Sequence, residues 1–400
     1  MTDTLTETRV REALEAMVDR VGATLDATGE RFPFVADPET GEWETTTDGN
    51  WCGGHWIGLL WIARDLAAAA GDDERARRFE RAAYGHTDTL SEEMPRDWMF
   101  CGMNFDYAGF FGYDLTGDRD LYAIGLAGAD AMIEMYDQAA RQIRVGEHRI
   151  KGPEKTFDME REVENRPPGE HVAVLDTIYT SLPVLWRAYR ETGDPTFRDV
   201  AVSHADRHLD WYLEDDGSTV HMVSYDPETG RPEDVFDTLA YDMDTCWARG
   251  QGWNVAGLSR AYAETGARRY LDRLETAVDY YLEHTPEDLV PYWDFEDPRV
   301  PDVPRDTSAA GIAAYGLSWL EGDDDRVQQL RRTGRDILSS LVSGYLRTDV
   351  DDDRRGMVLH GCYSMPGDYA VDNELVWTDF YVARALWRYL NGDALSGRPV

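Results

Sequence analysis

Carboxylates, tryptophans and an arginine recur where the buried helices of this sequence are predicted to begin. Asp106, Asp176 and Asp306 stand at three of these points, and the stretch WARGQGW at 247–253 stands at a fourth. Aromatic rings stack on the apolar faces of a sugar, and carboxylates bind its hydroxyls or transfer protons. The set predicts a sugar pocket with acid–base chemistry, although each Asp taken alone is more typical of a helix N-cap.

The other predicted helix starts lie near Asn50-Trp51 and Asp372-Asn373. If alternate helices run parallel, all six N-termini converge on one face of the molecule. Free N–H groups and a partial positive charge at such ends suit an anionic ligand. The face is therefore the expected position of the pocket.

Other catalytic templates are absent from the sequence. It has no GxSxG, no HExxH, no Walker A motif and no dinucleotide fingerprint after a strand. His204 and His208 are spaced i, i+4 on a helix and could share a metal ion, but no third ligand is evident. We therefore predict neither a metal nor a cofactor.

The elements that must position these residues repeat along the chain. Six apolar helical segments end on a glycine, and each follows a more polar amphipathic helix, as at 8–28, 119–141, 197–214 and 325–345. Six such pairs predict an all-α fold, an (α/α)6 barrel of six inner and six outer helices, as a single domain over residues 1–400. An open solenoid would show a steadier period. Strands are minor, with Ser218 to Tyr225 the best candidate for a hairpin. The terminating glycines are Gly71, Gly117, Gly193, Gly266, Gly322 and Gly392.

Composition narrows the class of protein. The 400 residues include 40 basic and 77 acidic side chains, a net charge of −37, which argues against nucleic-acid or membrane partners. Only Lys151 and Lys155 are lysines, and the acidic excess is spread evenly, as in proteins adapted to high salt. The start lacks a signal-peptide pattern and the four cysteines form no CxxC, so we expect a cytoplasmic protein with reduced thiols. The sequence does not address the oligomeric state.

Longer stretches resemble the unsaturated glucuronyl hydrolases of glycoside hydrolase family 88. The most specific is PYWDFEDPRVPDVPRDTSAAGIAAYGL at 291–317, together with WARGQGW at 247–253. The resemblance runs over nearly the whole chain, and it implies the same (α/α)6 barrel. The other matching stretches are GGHWIGLLWIA at 53–63, MNFDYAGF at 103–110, LDTIYTSLPVLWRA at 175–188, DGSTVHMVSYDPETG at 216–230 and HGCYSMP at 360–366.

The resemblance implies a hydration reaction. Polysaccharide lyases leave a terminal uronic acid whose C4=C5 double bond is conjugated with its carboxylate. An acid protonates C4, positive charge develops at C5 and the ring oxygen, and water adds at C5. The resulting hemiketal opens and releases the rest of the saccharide, so the expected partner is an unsaturated uronyl oligosaccharide. This differs from the usual two-carboxylate displacement of glycosidases.

Motif positions assign roles within this reaction. Asp176 would be the general acid and then the base that activates water. Asp106 would be a second carboxylate that positions the substrate and, as a nearby like charge, keeps Asp176 protonated. Arg249 would bind the uronate bidentately, with Trp247 against the sugar ring.

Three further substrate-binding residues follow from the resemblance. Trp253 is expected in the same wall as Trp247. His221 matches a family histidine near the substrate, with an ordinary strand residue as the alternative. Trp56 is a candidate pocket aromatic, and core packing is its alternative.

One stretch departs from the family pattern. Where many members have His-Gln-Gly ahead of WxRGQ, this sequence has Thr238-Leu239-Ala240, so two polar side chains that could contact a sugar are replaced. The departure concerns the preferred saccharide more than the reaction. Three alternatives to the unsaturated glucuronyl hydrolase function stay open. They are an unsaturated rhamnogalacturonyl hydrolase, a sugar epimerase of the N-acylglucosamine type and a non-catalytic sugar-binding protein.

Overall fold

The computed structural model describes residues 5–146 and 171–392, so Lys151 and Lys155 lie outside the described residues. A π turn, Asp106–Phe110, joins two helical segments of the second pair, and another, Leu341–Tyr345, follows the last outer helix. In chain order the helices are α1 (Glu7–Thr28), α2 (Gly53–Ala69), α3 (Asp73–Glu93), α4 (Cys101–Phe105), α5 (Phe111–Thr116), α6 (Arg119–Met135), α7 (Thr177–Thr180), α8 (Leu182–Thr192), α9 (Pro195–Trp211), α10 (Ala248–Thr265), α11 (Arg268–His284), α12 (Thr307–Leu317), α13 (Asp325–Ser340) and α14 (Val376–Asn391).

Outer and inner helices alternate along the described chain, which confirms the predicted six pairs. The outer helices are α1, α3, α6, α9, α11 and α13, and the inner segments are α2, α4–α5, α7–α8, α10, α12 and α14. Inner helix α12 is buried along its whole length because its residues are small or apolar, whereas outer helix α11 buries one face. No helix within the described ranges is both long and apolar enough to cross a bilayer.

The first and last inner helices pack together and close the ring. Gly58 of α2 lies against the Phe380 ring of α14, and a Cβ at Gly58 would come within 2.3 Å of that ring. Nearby, His55 Nε2 and the Tyr381 hydroxyl are 3.2 Å apart in a hydrogen bond between the same helices. An open solenoid has no such contact between its ends, so the fold is a barrel.

Glycines follow the ends of five inner helices as the sequence predicts, but α12 ends at Leu317, five residues before the predicted Gly322. Gly117, Gly193 and Gly266 adopt φ angles of 74°, 72° and 64°, in the left-handed region that favours glycine. Each donates its backbone N–H to the carbonyl four residues earlier. The chain can therefore turn sharply from each inner helix into the next outer one.

Within the described residues three small sheets lie on the barrel, so the prediction of one minor hairpin was incomplete. The predicted stretch contributes strand β6 (Met222–Tyr225). It pairs with β5 (Val172–Val174) and with β7 (Pro232–Phe236), which the sequence analysis did not identify. The other strands have two to five residues, too short for a clear alternating pattern. The strands are β1 (Phe32–Ala36), β2 (Trp43–Thr46), β3 (Tyr136–Asp137), β4 (Gln142–Ile143), β5 (Val172–Val174), β6 (Met222–Tyr225), β7 (Pro232–Phe236) and β8 (Glu374–Leu375), with orders β2-β1-β8, β3-β4 and β5-β6-β7.

The predicted start of the second inner helix at Asp106 was wrong. The helix begins at Cys101, and residues 101–105 are all buried. Asp106 opens the π turn in the middle of the segment. Its carboxylate therefore points from the side of an inner helix rather than capping an end.

Candidate active site

Asp176 lies between strand β5 and helix α7, at the start of the third inner segment. Its backbone carbonyl accepts from the amides of Tyr179 and Thr180, but its side chain does not cap the helix. The residue is 6% exposed, and its buried Oδ2 has no hydrogen-bond partner in the part of the chain that the structure describes. A buried carboxylate that is not used as a cap is available for chemistry, so the N-cap alternative for Asp176 does not hold.

His221 is the neighbour that faces this carboxylate. Its Nε2 lies 3.5 Å from Asp176 Oδ2, and its Nδ1 lies 3.2 Å from Asp237 Oδ1. Its ring packs beside Trp247, with 4.9 Å between centroids, and the residue is 5% exposed. Burial lowers the pKa of this imidazole, but the two carboxylates outweigh burial and raise the pKa to about 9. At neutral pH the ring is therefore an imidazolium, held between Asp176 and Asp237.

Trp247 and Arg249 form a stacked support beneath this histidine. The Arg249 guanidinium lies 4.4 Å from the Trp247 ring centroid. Its Nη1 donates to Asp306 Oδ2 at 3.2 Å and to the Cys362 carbonyl at 2.5 Å, while Nη2 donates to the Tyr363 carbonyl at 2.7 Å. Three of the five guanidinium N–H donors are already used by the fold, so the geometry assigns Arg249 to holding the mouth loops.

Two of the predicted tryptophans lie in the core. Trp253 is 1% exposed and stacks on Tyr179, with centroids 5.8 Å apart and planes 18° apart. Trp56 is also 1% exposed, and it packs against His86 of outer helix α3 and lines a small cavity beside Arg20 of α1. Trp56 therefore points away from the mouth, and its core-packing alternative is the arrangement found.

Asp106 presents an uncommitted carboxylate on the inner wall. The residue is partly exposed, and within the described residues its carboxylate makes no hydrogen bond to Asp176 or to another side chain. Burial raises its pKa, against the opposing charges of Arg187, Arg260 and Arg384 on three other inner helices. The rise in the pKa of Asp106 comes mainly from desolvation. That Asp106 keeps Asp176 protonated stays a prediction.

The π turn gives Asp106 this position. Single π turns inside α-helices occur frequently at functional sites, because they rotate one side chain out of the regular helical register. The preceding residues of α4 are fully buried. The turn thus separates a packed helix from a carboxylate that has no hydrogen-bond partner in the described ranges.

Asp237 is a site residue that the sequence analysis missed. It follows β7, and its Oδ1 accepts the amides of Leu239 and Ala240, both at 2.7 Å. Burial raises its pKa, but the charge and hydrogen bond of His221 and these two amides bring the net value below the usual range. An Asp followed by a short turn is typical of a side chain that accepts the amides two and three residues later, and this pattern could have identified Asp237 from the sequence.

The helical histidine pair is structural. His204 Nδ1 accepts the amide of Ile143 at 3.0 Å, and its Nε2 lies 3.1 Å from the hydroxyl of Thr177, next to Asp176. His208 Nε2 bonds to Asn254 Oδ1 at 3.1 Å. Burial lowers the pKa of both rings. Among the residues with described positions, no group of three or more His, Cys, Asp or Glu side chains could hold a metal ion.

The chain is similar to known proteins over nearly its whole length. A family model described as Glycosyl Hydrolase Family 88 matches residues 131–391. The chain is 27% identical over 390 residues to an unsaturated chondroitin disaccharide hydrolase of Streptococcus pneumoniae, covering 96% of this chain and 93% of the relative. It is 26% identical over 385 residues to an unsaturated glucuronyl hydrolase of a Bacillus species, covering 94% and 97%. A solved structure of a UGL variant with dGlcA-Glc-Rha-Glc superposes with a TM-score of 0.82 at 25% identity, covering 95% and 97%.

Proposed function

The chain belongs to glycosyl hydrolase family 88, and from this premise we propose that it removes the terminal 4,5-unsaturated uronic acid from lyase-generated oligosaccharides. Membership of the family makes the protein a glycosidase. The two relatives compared above are an unsaturated chondroitin disaccharide hydrolase and an unsaturated glucuronyl hydrolase. The observation that carries the proposal is Asp176, a mouth carboxylate that caps no helix and faces a charged histidine.

The proposed chemistry uses Asp176 twice. The acid O–H of Asp176 breaks, its electron pair stays on the carboxylate, and the proton bonds to C4 through the π electrons of the double bond. Positive charge at C5 and the ring oxygen is then relieved when a water oxygen bonds to C5. Asp176 takes the proton that this water loses, so the residue returns to its starting state. The hemiketal opens and releases the aglycone.

The surrounding groups support both steps. The imidazolium of His221 lies beside the carboxylate that forms when Asp176 gives up its proton, and opposite charges this close in a buried site attract strongly. Asp106, with its raised pKa and a carboxylate that accepts no hydrogen bond from the described residues, is proposed as the second carboxylate that binds the substrate. Trp247 and Arg249 hold the histidine and the loops in place.

The test is turnover of a panel of unsaturated disaccharides, followed by the ultraviolet absorbance of the conjugated double bond. The panel contains a chondroitin disaccharide, a glucuronyl oligosaccharide with a neutral aglycone and a rhamnogalacturonyl disaccharide. We expect loss of absorbance with a glucuronyl substrate. Loss with the rhamnogalacturonyl substrate alone would assign the protein to the alternative hydrolase.

Asp176→Asn separates catalysis from binding. Asparagine is isosteric but has no acidic proton, so kcat should fall by at least about 10²-fold while binding is retained, as for loss of a general acid–base group. Asp72→Asn is the matched control, because Asp72 caps α3 through the Arg75 amide and asparagine caps equally well. If the wild type binds the substrates but converts none of them, the protein is a sugar-binding protein instead.

We also propose that the protein acts in the cytoplasm of a salt-adapted cell. The support is the net charge of −37, spread evenly along the sequence. High salt screens the self-repulsion of such a surface. The incubations are therefore made in high salt as well as in dilute buffer.

A further inference from the structure

Three residues from three separate segments meet around one imidazole ring at the mouth. Asp176 precedes α7, His221 precedes β6, and Asp237 follows β7. The histidine uses one ring nitrogen for each carboxylate, at 3.5 Å to Asp176 and 3.2 Å to Asp237. A carboxylate on the far nitrogen fixes both the protonation and the orientation of an imidazole.

We propose that Asp237 is the positioning residue for His221, holding both ring protons in place so that Nε2–H faces the carboxylate of Asp176. The inference deepens the proposed function and rests on it for the role of Asp176. Among the described residues no hydrogen bond joins Asp237 to Asp176, and His221 bridges the two, so Asp237 acts through the histidine.

The turn that departs from the family pattern supplies the anchor. Leu239 and Ala240 donate their amides to Asp237 Oδ1 at 2.7 Å, and this same oxygen accepts from His221. Thr238-Leu239-Ala240 therefore wraps the aspartate with backbone donors, which need no polar side chain. The stretch that lost two polar side chains holds the residue that positions the histidine.

The charges around the ring all favour its protonated form, apart from one arginine. Asp176 and Asp237 face it from two loops, and Arg249 lies behind the neighbouring Trp247 ring. Beyond Asp176, the buried Tyr212 is held neutral because burial raises its pKa well above the usual range. Removing the Asp237 charge therefore removes one of the two groups that keep the ring charged.

The experiment is the titration of the His221 imidazole by NMR in the full chain, in the wild type and in Asp237→Asn. The signal is assigned by its loss in His221→Gln. Asparagine keeps an oxygen for the Leu239 and Ala240 amides, so the turn is retained while the charge is lost. We expect the pKa of His221, about 9 in the wild type, to fall by at least about one unit, which is a tenfold change in proton affinity. The matched control is Asp234→Asn on exposed β7, and its His221 titration should equal that of the wild type.

Activity gives a second, independent arm. In Asp237→Asn the alkaline limb of the kcat profile should move to lower pH, and in a His221→Gln background the same substitution should change neither kcat nor the limb. An unchanged His221 titration in Asp237→Asn would overturn the proposal. Equal loss of kcat with and without His221 would overturn it too, because Asp237 would then act on the loop alone. The titration is read without substrate, so its result stands even if the hydrolase assignment fails.

Discussion

Replacing Arg249 with lysine should destabilise the barrel rather than weaken substrate binding. The guanidinium holds Asp306 and the carbonyls of Cys362 and Tyr363, three acceptors on two different segments. A lysine ammonium keeps the charge but is a point donor, so it cannot span the same fork. Two of the three bonds are expected to be lost.

The magnitude follows from these contacts. Hydrogen bonds to a charged group contribute about 1.5–3 kcal/mol each, so losing two lowers the free energy of unfolding by about 3–6 kcal/mol. An unfolding entropy of about 2.1 cal/mol/K per residue gives roughly 0.8 kcal/mol/K for the 400 residues. The Tm should therefore fall by about 4–7 °C.

The assay pairs thermal unfolding with steady-state kinetics. We expect Arg249→Lys to lower Tm as above, while KM changes by less than about tenfold, or 1.4 kcal/mol. Arg119→Lys is the control, because Arg119 is exposed and lies over Tyr122, and its effect should stay within about 0.5 kcal/mol. An unchanged Tm together with a KM raised more than about tenfold would refute the reasoning and make Arg249 a direct uronate ligand.

Two further predictions concern packing and pH. Gly316→Ala places a Cβ 2.3 Å from Ala256 Cα, so α10 and α12 must move apart at a cost of about 1–3 kcal/mol, measurable as a lower Tm. Gly85→Ala meets nothing within 4 Å on α3 and should instead stabilise by about 0.5–1 kcal/mol; equal shifts for the two variants would contradict the close packing. The pKa of His221 is raised in the folded state, so its stabilisation is fully present below about pH 6.5 and is lost as pH rises through about 9. Wild-type Tm should fall more steeply over that interval than the Tm of His221→Gln, and parallel curves would refute the assignment.

The fold was readable from the sequence because its signals are local. A glycine in the left-handed region and an amphipathic helix are each encoded within a few residues, so six pairs could be counted. The helix start at Asp106 was misplaced because a π turn has no comparable local signature. The direction of Trp56 also depends on how its helix is rotated against α1 and α3, which a single helix does not encode.

The candidate site was readable only in part for a related reason. Asp176 and His221 lie in motif stretches and could be named together, although 45 positions separate them. Arg249 donates hydrogen bonds to loop carbonyls at residues 362 and 363. The path of that loop could not be predicted from the types of its residues. Asp237 lies beside Thr238-Leu239-Ala240, the stretch that departs from the family pattern. Its role depends on contact with His221, which lies next to a different strand, and the sequence does not show that contact.

The four cysteine thiols can report local opening of the barrel. Cys52 directly precedes α2, Cys101 begins α4, Cys246 lies just before α10, and Cys362 supplies a carbonyl to Arg249. All four thiols are free and buried, and burial raises the pKa of Cys101 and Cys246 to about 12. A thiol-specific label can then react only when the segment around it opens. Labelling rates at the four positions, measured by mass spectrometry, would report local opening at four points around the mouth without the introduction of new cysteines.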